Sequence, residues 1–210
     1  MSARDHVYET LRRRLIMGEY DHDAALVPAA LSIEFAVSRT PVREALGLLE
    51  RDGLVRGTTR GFVPHTRSEE EILEIFEARA ILDSAAAAAA AERRTTADLL
   101  ALQEISQRTQ REQDPSEIRR YLNLWHDAVR RSAHNVTIAG LLHTLDAQAK
   151  LAAPWHPEAP ATDPTVDDRR AEHDEILAAI TARNPERART LMLTHLARDR
   201  EFRIRRRVAG

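Results

Sequence analysis

The chain has no cysteine and no long apolar run. Without cysteine, neither a disulfide framework nor a thiolate metal site is available to it. No apolar stretch is long enough to cross a bilayer, and the N-terminus lacks a signal-peptide pattern. These absences predict a cytoplasmic protein that does not enter a membrane.

The chain also lacks a dominant charge. Its 31 basic and 33 acidic residues give a net charge of -2, which is not typical of a non-specific coat on nucleic acid. Such a balance still allows one local basic patch, because attraction depends on where the charges lie. Ser/His/Asp, Cys/His and glycine-rich phosphate-loop patterns are absent as well. With 210 residues, there is room for one small and one larger domain.

The segment from Val37 to Leu46 has the pattern of a helix that begins with two arginines. Ser38 can cap this helix through its hydroxyl, and Pro41 costs little in a first turn. Arg39 and Arg43 are four residues apart, so they project from one face. In a helix-turn-helix, such residues contact base edges, where arginine binds guanine through two hydrogen bonds. The alternative is a surface helix with solvated arginines.

Helical patterns precede this segment. Apolar residues repeat at helical spacing over residues 6–17, and Gly18 follows them. Leu31 and Phe35 form a second, shorter apolar face. Gly53 is placed to end the third helix in a left-handed conformation. The three helices predict a helix-turn-helix.

Two short strands follow, over residues 54–56 and 61–63. Their hairpin completes a winged helix-turn-helix. Arg60 and Gly61 lie at the tip of the wing, where they can reach the minor groove or a phosphate, because glycine permits close backbone approach.

These segments resemble the GntR family of bacterial transcription regulators over about residues 5–66. The resemblance is most specific from Ser38 to Leu46. It implies that five positions contact DNA: Ser38, Arg39, Thr40, Arg43 and Gly61. A homodimer of such domains would bind a pseudo-palindromic operator in double-stranded DNA.

From Ser68 onward the patterns are helical. A capping box at residues 68–71 begins a helix that continues through an alanine run to Ala91. Further helices are predicted over residues 96–113, 116–133, 137–151, 165–182 and 185–207. The segment from Ala152 to Asp163 contains three prolines and is predicted to be a loop or lid.

Three histidines lie on three different predicted helices: His126, His173 and His195. If their imidazoles converge, they suit Zn²⁺ or Ni²⁺ and leave coordination positions open. The alternative is that each is an ordinary, partly buried histidine.

The helical region resembles the FCD effector domain over about residues 68–206. The motifs that carry this resemblance lie at residues 77–83, 125–126, 135, 172–173, 185–188 and 195–196. It implies a divalent metal on His126, His173 and His195, and a small carboxylate effector that completes the coordination. The family's aspartate position holds Leu122, which weakens affinity for a hard ion. Arg79 matches a family arginine and is expected to pair with the effector or with a structural carboxylate.

The sequence thus predicts a mainly α fold with two domains: a winged helix-turn-helix over residues 1–67 and an effector-binding, dimerising helical bundle over residues 68–210. It predicts a transcription regulator, most simply a repressor, controlled by a small organic acid with or without a metal. One alternative is a DNA-binding dimer without an effector response. The other is a metal-dependent enzyme fused to a DNA-binding domain, in which a metal-bound hydroxide would react.

Overall fold

The computed structural model describes residues 2–152 and 166–209. The predicted loop or lid lies outside the described residues, apart from Ala152. The described residues divide into two compact units, one of residues 2–72 with 144–152 and the other of residues 73–143 with 166–209. Within these ranges, no helix has the length and apolar character needed to span a membrane.

The first unit begins with three helices and a hairpin. These are α1 (Ala3–Ile16), α2 (Pro28–Glu34), α3 (Arg39–Arg51), β1 (Val55–Thr58) and β2 (Gly61–Pro64). The two strands pair antiparallel, with Val55 opposite Pro64 and Thr58 opposite Gly61.

The core of this unit is apolar and is shared by all its helices. Its fully buried side chains include Val7 and Leu11 from α1 and Leu46 and Leu49 from α3. Burying each such side chain contributes roughly 1.5–3 kcal/mol to folding.

In the part of the chain that the structure describes, six helices follow the hairpin. They are α4 (Glu69–Arg93), α5 (Thr96–Arg111), α6 (Pro115–Ser132), α7 (Val136–Ala152), α8 (Val166–Thr181) and α9 (Pro185–Ala209). The mainly α fold class, with a winged helix-turn-helix before a bundle of six helices, is confirmed. Residues 144–152 of α7 group with the first unit, and Ala147 and Leu151 lie in its core.

The capping box and the alanine run of α4 form as predicted. The Ser68 hydroxyl accepts a hydrogen bond from the Glu71 amide, and the Glu71 carboxylate accepts one from the Ser68 amide. Within the run, Ala87, Ala90 and Ala91 are fully buried in the core of the second unit. Their small side chains let neighbouring helices approach closely.

Three helices end on a left-handed residue other than glycine: Ala36, His134 and Arg183, with φ of 52°, 48° and 52°. The chain has only seven glycines. Ala36 closes α2 with the two hydrogen bonds of a Schellman motif, from its own amide to the Ile33 carbonyl and from the Val37 amide to the Ser32 carbonyl. A left-handed residue with a Cβ is strained, so these ends are less stable than glycine would make them.

Candidate DNA interface and histidine cluster

The predicted recognition helix, α3, exposes its first turns and buries its opposite face. Ser38, Arg39, Thr40 and Arg43 are all exposed. In contrast, the opposite face is buried at Val42, Ala45, Leu46 and Leu49. The side chains predicted to contact DNA are therefore directed to solvent.

Ser38 occupies the N-cap of α3 as predicted, but the proposed cap is wrong, because its side chain makes no capping hydrogen bond. Its hydroxyl is exposed and therefore open to another partner. Gly53 follows the C-terminus of α3 with φ of +68°, as predicted. In the described part of the chain, no carboxylate forms an ion pair with Arg39 or Arg43.

The wing tip is exposed at Arg60 and closely packed at Gly61. Gly61 has φ of +137°, and a Cβ there would lie 2.8 Å from the Leu26 carbonyl oxygen. Leu26 and Phe62 exchange two backbone hydrogen bonds, of 2.7 and 3.1 Å, so Leu26 extends the hairpin by one bridge. Sequence reasoning missed this bridge, because a single paired residue has no periodicity.

A side chain of α3 also holds the wing. The Glu50 carboxylate accepts a hydrogen bond of 2.7 Å from the Gly57 amide in β1. The wing is therefore bonded to the preceding chain at Leu26 and to α3 at Glu50.

In the second unit, the three predicted histidines converge from α6, α8 and α9. The Nε2 atom of His195 lies 3.3 Å from Nε2 of His126 and 3.3 Å from Nε2 of His173. The candidate ligand atoms of all three lie within 4.8 Å of one another. His173 and His195 are buried, with exposed fractions of 4% and 2%.

This donor set fits a divalent transition metal. Zinc bound tetrahedrally by imidazole nitrogens separates neighbouring nitrogens by about 3.3 Å, which two of the three pairs match. The Nδ1 atom of His126 is buried and has no hydrogen-bond partner among the described residues. Nitrogen donors in this number suit Zn²⁺ or Ni²⁺ better than Mg²⁺ or Ca²⁺.

The surroundings keep two of the three histidines, His126 and His173, neutral. Burial lowers the pKa of His126 well below its ordinary value, and the charges of His173, His195, Arg130 and Arg79 lower that pKa further. Burial also lowers the pKa of His173, with a further contribution from His195. Neutral imidazoles present lone pairs at pH 7, as metal binding requires.

Each of two histidines has a specific neighbour. Trp125 stacks on His173, with ring centroids 4.0 Å apart. Glu172 lies 2.6 Å from Nδ1 of His195, and its carboxylate also forms an ion pair with Arg198. From the sequence, Glu172 is part of a motif with His173 but receives no functional role, because its contact with His195 is not local.

Leu122 lies one turn before His126 on α6 and is partly exposed. Because residues four apart share a helix face, Leu122 occupies the place of a carboxylate ligand without supplying an oxygen. The candidate ligands that α6, α8 and α9 bring together are therefore three imidazole nitrogens.

Arg79 lies on α4 and is partly buried, with its guanidinium carbon 5.7 Å from the Phe76 ring centroid. Its charge contributes to the lowered pKa of His126. One turn after His126, Arg130 forms a buried ion pair with Asp83, through hydrogen bonds of 2.7 and 2.9 Å. Sequence reasoning missed this pair, which fixes α4 against α6.

Comparison with known families now identifies the chain. Residues 3–61 match the family described as bacterial regulatory proteins, gntR family, and residues 74–198 match the FCD domain. The chain belongs to the GntR family. It is a DNA-binding transcription regulator, and the family and its relatives are regulators rather than enzymes. The predicted domain boundary after residue 67 falls between the two matched regions and stays a prediction.

This GntR-family regulator is similar to named repressors. It is 29% identical over 202 residues to the HTH-type transcriptional repressor GlaR of Escherichia coli K12, covering 90% of both chains. Over 74 residues it is 36% identical to the gluconate operon transcriptional repressor of Bacillus licheniformis, which is 35% of this chain and 30% of that protein. Its fold is similar to that of E. coli McbR/YncC, with a TM-score of 0.81, 22% identity and coverage of 98% and 99%.

Proposed function

We propose that this GntR-family protein is a repressor whose operator binding is controlled by a small organic acid bound in its FCD domain. We further propose that His126, His173 and His195 hold a divalent metal, Zn²⁺ or Ni²⁺. The observation that carries the proposal is the convergence of three imidazoles, with their Nε2 atoms 3.3 Å apart in two of three pairs.

The DNA contacts are proposed at six positions. Arg39 and Arg43 would contact base edges, while Ser38, Thr40, Arg60 and Gly61 would contact phosphates or groove walls. The exposure of every one of these residues except Gly61, which is partly buried, supports these roles. Because GlaR and the gluconate operon protein are named repressors, repression is the proposed sign of control. A homodimer on a pseudo-palindromic operator follows from the two-fold symmetry of most such assemblies.

The effector would be an anion. Arg79 places positive charge near His126, where Arg130 is already paired with Asp83, and Leu122 supplies no carboxylate. A bound metal would supply positive charge and open positions for a carboxylate group. Arg79 would pair with a second oxygen of the effector. The effector controls DNA binding only if it binds two conformations with different affinities.

A second candidate function is a DNA-binding dimer that responds to no metal. The observation that favours it is Leu122, since loss of a charged oxygen ligand weakens metal affinity. Under this alternative the three histidines would be a neutral part of the core or of a metal-free effector site.

One experiment tests these functions in sequence. Selection of bound sequences from random DNA would yield the operator and its half-site spacing. Binding to that operator is then measured with Zn²⁺, Ni²⁺ and a panel of small organic acids. We expect one acid to weaken binding and a metal to increase its effect. If no DNA sequence is enriched, the proposed DNA contacts are contradicted. If operator affinity is the same with and without every metal and acid, the second candidate is favoured.

A further inference from the structure

The three side chains of the histidine cluster bring no negative charge to the site. The charges of Arg79 and Arg130 act on His126, although Arg130 is paired with Asp83. A divalent ion there would be compensated poorly by α6, because Leu122 supplies neither charge nor oxygen. The compensation must come from another helix if the ion is to bind tightly.

Glu172 on α8 has the required charge and position. Its Oε2 atom lies 2.6 Å from Nδ1 of His195, whose side chain is 1% exposed. A carboxylate accepts hydrogen bonds, so Nδ1 of His195 donates, and a neutral ring in that tautomer has its lone pair on Nε2. That Nε2 is the atom directed at the other two histidines.

We propose that Glu172 is a positioning residue of the metal site, and that it supplies through His195 the negative charge that Leu122 does not. This inference depends on the metal site of the proposed function. A carboxylate bonded to a ligating histidine fixes its tautomer and makes its other nitrogen a stronger donor. The ion pair with Arg198 holds Glu172 in this position.

The chain offers a matched control on the same helix. Glu175 carries the same charge as Glu172. Both glutamates line a groove of about 260 Å³ beside His195 and Arg198. It is exposed, and no hydrogen bond joins it to a histidine within the described residues. A general effect of acidic residues on metal attraction would appear at both glutamates, whereas positioning of His195 would appear only at Glu172.

The test is equilibrium binding of Zn²⁺ and Ni²⁺ to the full chain, measured in competition with a chromophoric chelator. We expect Glu172→Gln to lower affinity by about 10-fold, the lower end of the usual effect of altering such a partner, because glutamine keeps the hydrogen bond and loses the charge. Glu175→Gln should change affinity by about twofold at most, because exposed charges are screened. Leu122→Asp, placed in the Glu172→Gln background, should restore much of the loss by supplying a carboxylate from α6.

The metal-free melting temperature separates positioning from a purely structural role. We expect it to change little in Glu172→Gln, because glutamine can accept the same hydrogen bond without the charge. Wild-type affinity in Glu172→Gln would overturn the inference and leave the metal site intact. Parallel losses of melting temperature and affinity, with no rescue by Leu122→Asp, would also overturn it. Absence of metal binding in the wild-type chain would overturn the metal site itself.

Discussion

Arg43 is the residue whose loss we expect to affect operator binding most directly. It is exposed in the second turn of α3, four residues after Arg39. Replacing Arg43 by alanine should weaken binding by about 1–3 kcal/mol and relax the base preference at one position. Fluorescence anisotropy with the selected operator and with single-base variants measures both effects.

Arg51 provides the control for this experiment. It is exposed in the last turn of the same helix, away from the end proposed to enter the groove. Arg51→Ala removes the same charge as Arg43→Ala. It should reduce operator affinity by less and leave the base preference unchanged. Equal effects of the two substitutions would contradict the orientation proposed for α3.

His173 tests the metal site at a single ligand. Replacing it by glutamine removes an imidazole nitrogen and its stacking on Trp125. We expect the increase in melting temperature caused by Zn²⁺ or Ni²⁺ to disappear, while metal-free operator binding stays unchanged. Thermal melts with and without metal measure the first effect, and anisotropy measures the second.

The matched control is His134→Asn. His134 is an exposed histidine of the same unit that pairs with Asp98 and lies outside the cluster. This variant should retain the full metal-dependent increase. A metal stoichiometry that is unchanged in His173→Gln would exclude His173 as a ligand.

Among the elements, the end of α2 carries a strain that can be relieved. Ala36 is exposed and has φ of 52°. Ala36→Gly should increase the free energy of unfolding by about 1 kcal/mol, because glycine adopts the left-handed conformation without a Cβ penalty. The expected increase in melting temperature is roughly 2–4 °C. If the melting temperature does not rise, the greater conformational entropy of glycine in the unfolded chain offsets the loss of strain at this position.

The end of α3 should respond in the opposite direction. Gly53 has φ of +68°, and a Cβ there would lie 2.7 Å from an Arg67 nitrogen and 2.9 Å from a Gln148 nitrogen. Gly53→Ala should therefore lower the free energy of unfolding by more than about 1 kcal/mol. Chemical denaturation of both variants and the wild type measures the increase and the decrease. An unchanged free energy of unfolding in Gly53→Ala would contradict the strain expected from its positive φ.

The whole molecule should lose stability in mild acid when metal is absent. His126 and His173 have a folded-state pKa far below the ordinary value of 6.5. Below pH 6.5 these two histidines therefore bind protons in the unfolded chain but not in the folded chain. As a result, the free energy of unfolding falls as the pH falls. The loss between pH 7.5 and 5.5 should be on the order of 2 kcal/mol.

Denaturant titrations with a chelator present, at pH 7.5, 6.5 and 5.5, measure this loss. A His126→Asn, His173→Asn double variant should show a smaller dependence in the same window. An identical dependence in the two proteins would locate the titrating groups elsewhere.

The sequence predicts much of the architecture because its signals are local. Caps such as Ser68 with Glu71, and the glycine after α3, set helix ends within a few residues. The long-range packing is not predicted in this way. Nothing local indicates that Leu151 lies in the core of the first unit, or that Asp83 pairs with Arg130.

The histidine cluster shows the same limit. Periodicity places each histidine on a helix, but it does not give the rotation of three helices about their axes. The expectation that the three histidines face one another came from the resemblance to FCD domains, and in the structure their Nε2 atoms converge. The contact from Glu172 to His195 joins α8 to α9 and needed the coordinates.

The hydrogen bond from the Gly57 amide to Glu50 has a consequence for operator length. Because the wing is hydrogen-bonded to α3 and to Leu26, we expect it to keep a fixed position relative to that helix when the domain binds DNA. Inserting one base pair inside a half-site would shift the DNA phosphates that the wing is proposed to contact by about 3.4 Å and rotate them by roughly 35° about the duplex axis. We expect such an insertion to abolish recognition, whereas base substitutions at the same step would only weaken it.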